Sequence, residues 1–317
     1  MSRTTGYVFD EKCMWHNQGS ISWSKWIEPG EHWENVDTKR RINNLLNATG
    51  MVSNLKHLRS RFATREEIER FHTPSYITSI KEQSDTTGAS VGESELNFAK
   101  GGYEVALLGA GCVLAAVEAL LIEKSISNAY CLVRPPGHHA EADRGCGFCI
   151  FNNVVVSAYH AREITNHKIK RIAVVDYDVH HGNGTQDAFW NDENALLISL
   201  HQDSNYPIGT GLVSEVGGVE SADGTGNSII NIPLPPGSGS GAYEYAFGRV
   251  VIPALRRFKP DMIFVSSGFD ASFADPLGAM MLSSDTYAFM TEELMKAADG
   301  KSPLLMCGLF TACHVAV

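Results

Sequence analysis

A carboxylate and an imidazole two residues apart follow an apolar segment in RIAVVDYDVHHGNGT, residues 171–185. The apolar part, Ile172 to Val175, is mostly β-branched, which is typical of a strand buried on both faces. Side chains of an extended chain alternate, so Asp178 and His180 point the same way and could hold a metal ion together. The alternative is a hydrogen-bonded polar strand end without a metal.

A third candidate ligand follows another apolar segment, Asp261–Ser267, in the sequence SSGFDASFADPLG. Because the carboxyl ends of parallel strands meet at one edge of a sheet, we expect Asp270 to join Asp178 and His180 there. An Asp-His-Asp set can bind Zn²⁺ and keep an open position for water, as a catalytic site requires. Asp275 competes as the third ligand, but Asp270 follows the predicted strand directly and is preferred.

Two adjacent histidines lie in a loop restrained by two prolines and a glycine, RPPGHH at residues 134–139. The loop follows a predicted strand, Ala129–Val133, and so reaches the same edge of the sheet. Histidine changes its charge near neutral pH, and a rigidly presented pair can act as general base and acid. We predict catalytic roles for His138 and His139, although a lone histidine is more often structural.

The elements that must position these side chains alternate between strand and helix. Further strands are predicted at residues 195–201 and 228–234, with helical segments between the strands. Gly102–Lys124 is apolar nearly all round, which is typical of a buried helix packed against a sheet. The pattern predicts an α/β fold, with one domain over residues 1–317 and a doubly wound, mainly parallel sheet flanked by helices.

The first 60 residues are interpreted as irregular, apart from a possible helix at Arg40–Met51. Four of the five tryptophans of the chain lie here, which suggests a packed loop region. This region is expected either to cover the edge of the sheet or to line a substrate site. The four residues are Trp15, Trp23, Trp26 and Trp33.

Bulk properties exclude several classes of function. The net charge of −10 argues against broad binding to nucleic acid or to an anionic membrane. No run reaches the ~18–20 uninterrupted apolar residues of a membrane span, and MSRTTGYVFDEK lacks an apolar signal core. We expect a cytoplasmic location, or a nuclear one in a eukaryotic cell.

The seven cysteines are an odd number in a large chain, which favours reduced thiols. Cys146 and Cys149 form a CxxC sequence, which can indicate zinc or redox chemistry. No second CxxC accompanies it, so we interpret the two as a structural pair of buried thiols.

Three long motifs, GHHAEADRGCGFCIFNN, DYDVHHGNGTQ and SSGFDASFADPLG, together resemble the zinc-dependent histone deacetylase family. The resemblance runs in order from about Gly6 to Gly300. Asn183 in HHGNGTQ, where other branches carry Asp, and the FNN at residues 151–153 resemble the class II branch, with its bacterial amidohydrolases and acetylpolyamine amidohydrolases. The resemblance implies the arginase–deacetylase fold and the zinc-dependent hydrolysis of acetylated amines.

The resemblance also assigns site residues. Asp178, His180 and Asp270 match the zinc ligands, with one Zn²⁺ per chain, and His138 and His139 match the catalytic pair. The remaining assignments fall into three groups. Asp176 matches the residue that orients His138, and Asn183 lies next to His139. A structural K⁺ is implied, with ligands at Asp176, Asp178, His180, Ser199 and Leu200. The walls of a narrow substrate tunnel map to Phe148, Tyr206 and Leu277.

One part of the family pattern does not appear. The family carries a Gly-Gly-Tyr near the end of the domain, whose hydroxyl donates to the carbonyl oxygen in the transition state. This chain reads DGKSPLLMCGLFTACHVAV instead and has no tyrosine after Tyr287, which we do not regard as a substitute. The segment from about residue 299 resembles neither a strand followed by this motif nor a folded terminal helix, so the last strand and helix of the fold are expected to be missing.

Three functions remain open at this point. The preferred one is deacetylation of acetyl-lysine in proteins. An acetylpolyamine deacetylase keeps the same chemistry, and Glu93 and Glu95 are candidates for recognising its cationic substrate. The third is a catalytically weak, deacetylase-like protein that binds acetylated ligands. The expected partners are an acetylated protein or amine and a second copy of the chain, without direct contact to nucleic acid or membrane.

Overall fold

The computed structural model describes residues 4–18, 32–89, 96–218, 228–298 and 302–308. In these residues a single sheet of eight parallel strands has helices on both faces, which confirms the predicted α/β architecture. The strands are β1 (Thr5–Phe9), β2 (Lys56–His57), β3 (Asn128–Leu132), β4 (Ile172–Asp176), β5 (Ala195–Gln202), β6 (Ile229–Leu234), β7 (Met262–Ser267) and β8 (Leu304–Gly308). The α-helices are α1 (Asp37–Ala48), α2 (Arg65–Ile68), α3 (Pro74–Asp85), α4 (Gly102–Leu121), α5 (Asn153–Ile164), α6 (Asn183–Phe189), α7 (Ser240–Ala246), α8 (Ile252–Phe258) and α9 (Ser284–Ala298).

The central strands bury both of their faces, as their apolar sequences predict. Along β4, Ile172 and Val174 pack into one hydrophobic cluster with residues of α4 and α5. Ala173 and Val175 face the opposite cluster, formed with residues of α7, α8 and α9. Alternation along an extended strand therefore divides the core into two layers, one on each side of the sheet.

The strand order β2-β1-β3-β8-β7-β4-β5-β6 corrects two expectations. The first 60 residues are not irregular throughout, because β1 lies inside the sheet between β2 and β3. The last strand of the fold is not missing, because Leu304–Gly308 is a strand that pairs with both β3 and β7. It joins the two halves of the sheet and brings β7 and β4 alongside the strands from the first half of the chain.

Helix α4 has the length and the mean hydropathy of 2.0 that a membrane-spanning helix would need. Most of it is buried inside the protein, however, in contact with β1, β3, β8 and α5. These properties match the sequence prediction of a core helix packed against the sheet.

Parallel pairing brings the chemically interesting loops together at one edge. The carboxyl end of β4 lies between those of β5 and β7, since Asp176 pairs with Ser199 on one side and Ser266 on the other. Helix α6 begins at Asn183. Asn183 thus lies in the first turn of a helix whose start faces this edge.

Candidate active site

Three buried side chains from the ends of β4 and β7 form a compact cluster. Nδ1 of His180 lies 3.0 Å from Oδ1 of Asp178 and 3.0 Å from Oδ2 of Asp270. Each residue offers one ligand atom, and the three atoms lie within 4.8 Å of one another. A tetrahedral zinc ion with bonds of about 2.0–2.1 Å holds its ligand atoms about 3.3 Å apart, so the spacing suits such an ion.

The polar atoms of this cluster also fit a cation. Oδ2 of Asp178 and Oδ2 of Asp270 are buried and accept no hydrogen bond from the described residues. Burial and the neighbouring Asp178 carboxylate raise the pKa of Asp270 to about 7, because two confined negative charges oppose each other. A divalent ion would offset both the burial and the repulsion. Asp275 has a different role, as its Oδ1 accepts a hydrogen bond from the Leu277 amide at 3.0 Å.

A second group of possible ligands, Glu67, Glu118 and His160, lies away from this edge. Nη2 of Arg61 donates to Glu67 at 2.7 Å and to Glu118 at 2.6 Å. Nε2 of His160 lies 3.1 Å from Oε1 of Glu118. Since an arginine already neutralises both carboxylates, this group is an ion-pair network.

His138 is buried and paired with a carboxylate. Its Nδ1 lies 2.9 Å from Oδ2 of Asp176, and its Nε2 lies 3.8 Å from Oδ1 of Asp178. Burial opposes a charged imidazole, but the Asp176 and Asp178 carboxylates outweigh it and raise the pKa of His138. His138 is therefore suited to carry positive charge.

His139 lies beside His138 in a different electrostatic environment. The two ring centroids are 3.9 Å apart, and Nδ1 of His139 lies 2.8 Å from Oδ1 of Asn183. Burial, together with the adjacent His138 and His180, lowers the pKa of His139 well below its usual range. His138 therefore favours the charged form, which can donate a proton, and His139 favours the neutral form, which can accept one.

Hydrogen bonds from the start of α6 and from the residue before α5 hold the backbone of residues 138–140. The Thr185 amide donates to the His138 carbonyl at 3.2 Å, and Nδ2 of Asn152 donates to the Ala140 carbonyl at 3.2 Å. A Cβ atom on Gly184 would lie 2.1 Å from that carbonyl oxygen, so only glycine permits this approach. The rigid presentation predicted from the prolines thus also depends on distant parts of the chain.

A pocket opens beside His180 and the histidine pair, His138 and His139. The predicted tunnel residues Phe148, Tyr206 and Leu277 all line it. The Tyr206 ring stands at 90° to that of His139, with the centroids 5.1 Å apart. The other lining residues are Trp33, Pro136, His138, His139, Gly147, His180 and Asn205.

The Phe148 wall is the tip of a tight hairpin. Cys146 and Cys149 exchange both backbone hydrogen bonds, at 3.2 and 2.8 Å. The two residues between them have positive φ values, 50° at Gly147 and 66° at Phe148, as in a type I′ turn. A bulky residue rarely adopts this conformation, and here it directs the phenylalanine into the pocket wall. Both cysteines are buried thiols, as predicted for a structural pair.

The residues assigned to a potassium ion lie next to the cluster. Ser199 and Leu200 belong to β5, are fully buried, and Ser199 is in register with Asp176. Oγ of Ser199 lies 2.8 Å from Nδ1 of His201. The potassium ion itself stays a prediction.

Sequence reasoning missed several residues near the pocket. Asn205 donates from Nδ2 to the Leu277 carbonyl at 3.1 Å and so joins two lining loops, but no motif marks it. Arg134 is buried, and its Nε donates to Oε1 of Glu34 at 2.6 Å, next to Trp33. Only the arginine directly before the two prolines could have drawn attention to this pair.

The prediction of a substrate-lining loop in the tryptophan-rich region holds for Trp33 but not for Trp15. Trp33 lines the pocket, in agreement with the prediction of a substrate-lining loop. Trp15 is 74% exposed and has no such role. Trp23 and Trp26 lie outside the described residues, as do Glu93 and Glu95.

Comparison with known proteins agrees with this geometry. The histone deacetylase domain family matches residues 32–308. The chain is 40% identical to a histone deacetylase-like amidohydrolase of Pseudomonas aeruginosa, over 94% of this chain and 78% of that protein. It is 36% identical to histone deacetylase 6 of Caenorhabditis elegans over 87% of this chain, but it spans only 30% of that longer protein. Among solved structures, the HDA15 HD domain superposes with a TM-score of 0.85 at 31% identity, covering 98% of this chain and 86% of that one.

Proposed function

This chain belongs to the histone deacetylase family and is a hydrolase of the deacetylase type, and from that premise we propose that it removes acetyl groups from acetyl-lysine in proteins with the help of Zn²⁺. The class II-like assignment, the zinc ion and the protein substrate are parts of this proposal.

The observation that carries the proposal is the composition of the pocket from mouth to base. Its walls are apolar and aromatic, with Phe148, Tyr206 and Leu277 among the lining residues. The same pocket is lined by His180 and by the histidine pair, His138 and His139. Such a pocket accepts an uncharged alkyl chain and presents the amide at its end to the polar residues. An acetylated lysine side chain has this shape and distribution of polarity.

The proposed reaction uses His139 as the base. Oδ1 of Asn183 accepts a hydrogen bond from Nδ1 of His139, which leaves the lone pair of the imidazole on Nε2. His139 would take a proton from the attacking water and later give it to the lysine amine as that group leaves. The lowered pKa keeps the imidazole neutral and ready to accept at neutral pH.

His138 would act by charge. Its pairing with Asp176 favours the imidazolium form. The positive charge would stabilise the negative charge that develops on the amide oxygen. Asp178, His180 and Asp270 would hold the zinc ion. When bound, that ion supplies Lewis-acid polarisation of the amide carbonyl and makes water more acidic.

Acetylpolyamines are the alternative substrates. A polyamine carries a second cationic amine, which acidic residues near the pocket mouth would favour. The described residues that line the pocket include no aspartate or glutamate, and this absence supports acetyl-lysine instead. Glu93 and Glu95, the predicted acidic candidates, lie outside the described residues.

The test compares an acetyl-lysine peptide with N-acetylputrescine on the same zinc-loaded protein. We expect a higher kcat/KM for the peptide, and no turnover by a His180→Ala variant. A higher kcat/KM for N-acetylputrescine would identify acetylpolyamines as the substrate class, and the proposed deacetylation reaction would stand. Stoichiometric zinc without turnover of any acyl substrate would instead favour the third function, a deacetylase-like protein that binds acetylated ligands.

A further inference from the structure

We propose that Glu141 is a positioning residue that selects the tautomer of His139 by holding the Asn183 side chain in one orientation. The proposal rests on His139 acting as the base, as set out above. Glu141 does not contact the pocket, so its effect would pass through Asn183.

The Asn183 side chain lies between His139 and Glu141. Its Oδ1 is 2.8 Å from Nδ1 of His139. On the other side, its Nδ2 donates to Oε1 of Glu141 at 2.7 Å and to the His139 carbonyl at 3.3 Å. Both neighbours of Nδ2 can only accept, which fixes which end of the amide is nitrogen.

The orientation of the Asn183 side chain has to be fixed by its neighbours because its amide group can rotate by half a turn. In the rotated form the NH₂ group would face Nδ1 of His139 and donate to it. The imidazole proton would then lie on Nε2, and the lone pair needed for a base would point away from the pocket. An aspartate at position 183 would not have this ambiguity, since both of its oxygens accept.

Glu141 contributes the stronger of the two contacts to Nδ2. The bond to its carboxylate is charge-assisted and 0.6 Å shorter than the bond to the His139 carbonyl, at 2.7 against 3.3 Å. Rotation of the amide would bring Oδ1 against the Glu141 carboxylate, two acceptors facing each other. The short contact therefore opposes the unproductive orientation of Asn183.

Glu141 is itself held in place by Arg144. Nη2 of Arg144 donates to Oε1 of Glu141 at 2.7 Å, and the Glu141 amide donates to the Arg144 carbonyl at 2.9 Å. The arginine side chain is 57% exposed, so it supports Glu141 from the solvent side. Residues 139–144 thus contain both the base and the group that orients its partner.

The test is a double-mutant cycle on the zinc-loaded protein with an acetyl-lysine substrate. We expect Glu141→Ala to lower kcat about tenfold, in the range seen for partners that orient a catalytic group. KM should not change, because Glu141 does not line the pocket. In the Asn183→Asp background the same change should not lower kcat further, because a carboxylate can only accept from Nδ1 and Glu141→Ala also removes the repulsion between the two facing carboxylates. Glu141→Gln should lose less than Glu141→Ala, since its amide oxygen can still accept.

A control and a second readout separate this role from a structural one. Glu69 forms a similar ion pair with Arg65 on the surface, and Glu69→Ala should leave kcat unchanged. Ring nitrogen shifts of ¹⁵N-histidine-labelled protein report the tautomer directly. They should show protonated Nδ1 at His139 in the wild type and a mixture of tautomers in Glu141→Ala.

Two results would overturn the proposal. One is a loss of kcat in Glu141→Ala that persists fully in the Asn183→Asp background. The other is an unchanged His139 tautomer in Glu141→Ala. If the wild type hydrolyses no acetylated substrate, the proposed function fails, whereas the nitrogen shifts still decide the role of Glu141.

Discussion

Nδ1 of His180 lies 3.0 Å from Oδ2 of Asp270, although the two residues follow different strands of the sheet. The pairing of β4 with β7 creates this contact, with Asp176 in register with Ser266. It completes a set of three ligand atoms that neither strand end supplies alone.

Replacing a carboxylate of the set should remove the metal. We expect Asp270→Asn to lower zinc occupancy strongly, because it removes one of three ligands and one negative charge. Metal content by atomic emission measures the effect. Asp275→Asn is the matched control from the same loop and should keep its zinc. Equal occupancy in both variants would contradict the assignment.

Removing the base should affect chemistry while metal binding remains. His139→Ala is expected to lower kcat by about 10²–10⁴, the usual contribution of general acid–base catalysis. Zinc content should stay at the wild-type level, because His139 is not among the three ligands. Replacement of the exposed His57 by alanine is the control and should leave kcat unchanged. Full activity of His139→Ala would rule out its role as base.

Shortening the pocket wall should weaken substrate binding. Phe148 lines the pocket from the tip of its hairpin, so Phe148→Ala should raise KM for an acetyl-lysine peptide about tenfold, on the scale of one lost aromatic contact. Steady-state kinetics give KM, and thermal unfolding shows whether the fold persists. Phe62, which is 49% exposed, offers a control substitution that should change neither value. An unchanged KM would remove Phe148 from the substrate path.

Stability should fall in mild acid because histidines are buried in the neutral form. Burial lowers the pKa of His72 to about 4, and its Nε2 accepts a hydrogen bond from the Asn152 amide at 2.9 Å. Unfolded histidine titrates near pH ~6.5, so between pH ~6.5 and about 4 the unfolded chain binds a proton that the folded chain does not. The contribution of His72 is present in full above this window and is lost as the pH falls through it.

Urea unfolding at several pH values tests this linkage. His72→Gln should be less stable than the wild type at pH ~8, where the hydrogen bond counts in full, and should lose less stability on acidification. His57→Gln changes an exposed histidine and should keep the wild-type slope. The same slope in His72→Gln and the wild type would show that His72 does not contribute.

Much of the site could be predicted from the sequence because its signals are local. Asp178 and His180 are two residues apart on an extended segment, so they point the same way whatever else the chain does. His138 and His139 are adjacent in a loop restrained by proline. Phe148, Tyr206 and Leu277 came from the resemblance to a family, and the structure brings all three to one pocket.

The remaining features depend on pairing between distant segments, which local patterns do not encode. The order of the strands places Leu304–Gly308 between β3 and β7, although the sequence predicted that the last strand of the fold is missing. The contacts of Glu34 with Arg134 and of Glu141 with Asn183 exist only after separate loops have come together at one edge. The sequence by itself determined which residues are candidates for the chemistry, and the tertiary structure decided their partners, because hydrogen-bond register and packing act between segments far apart in the chain.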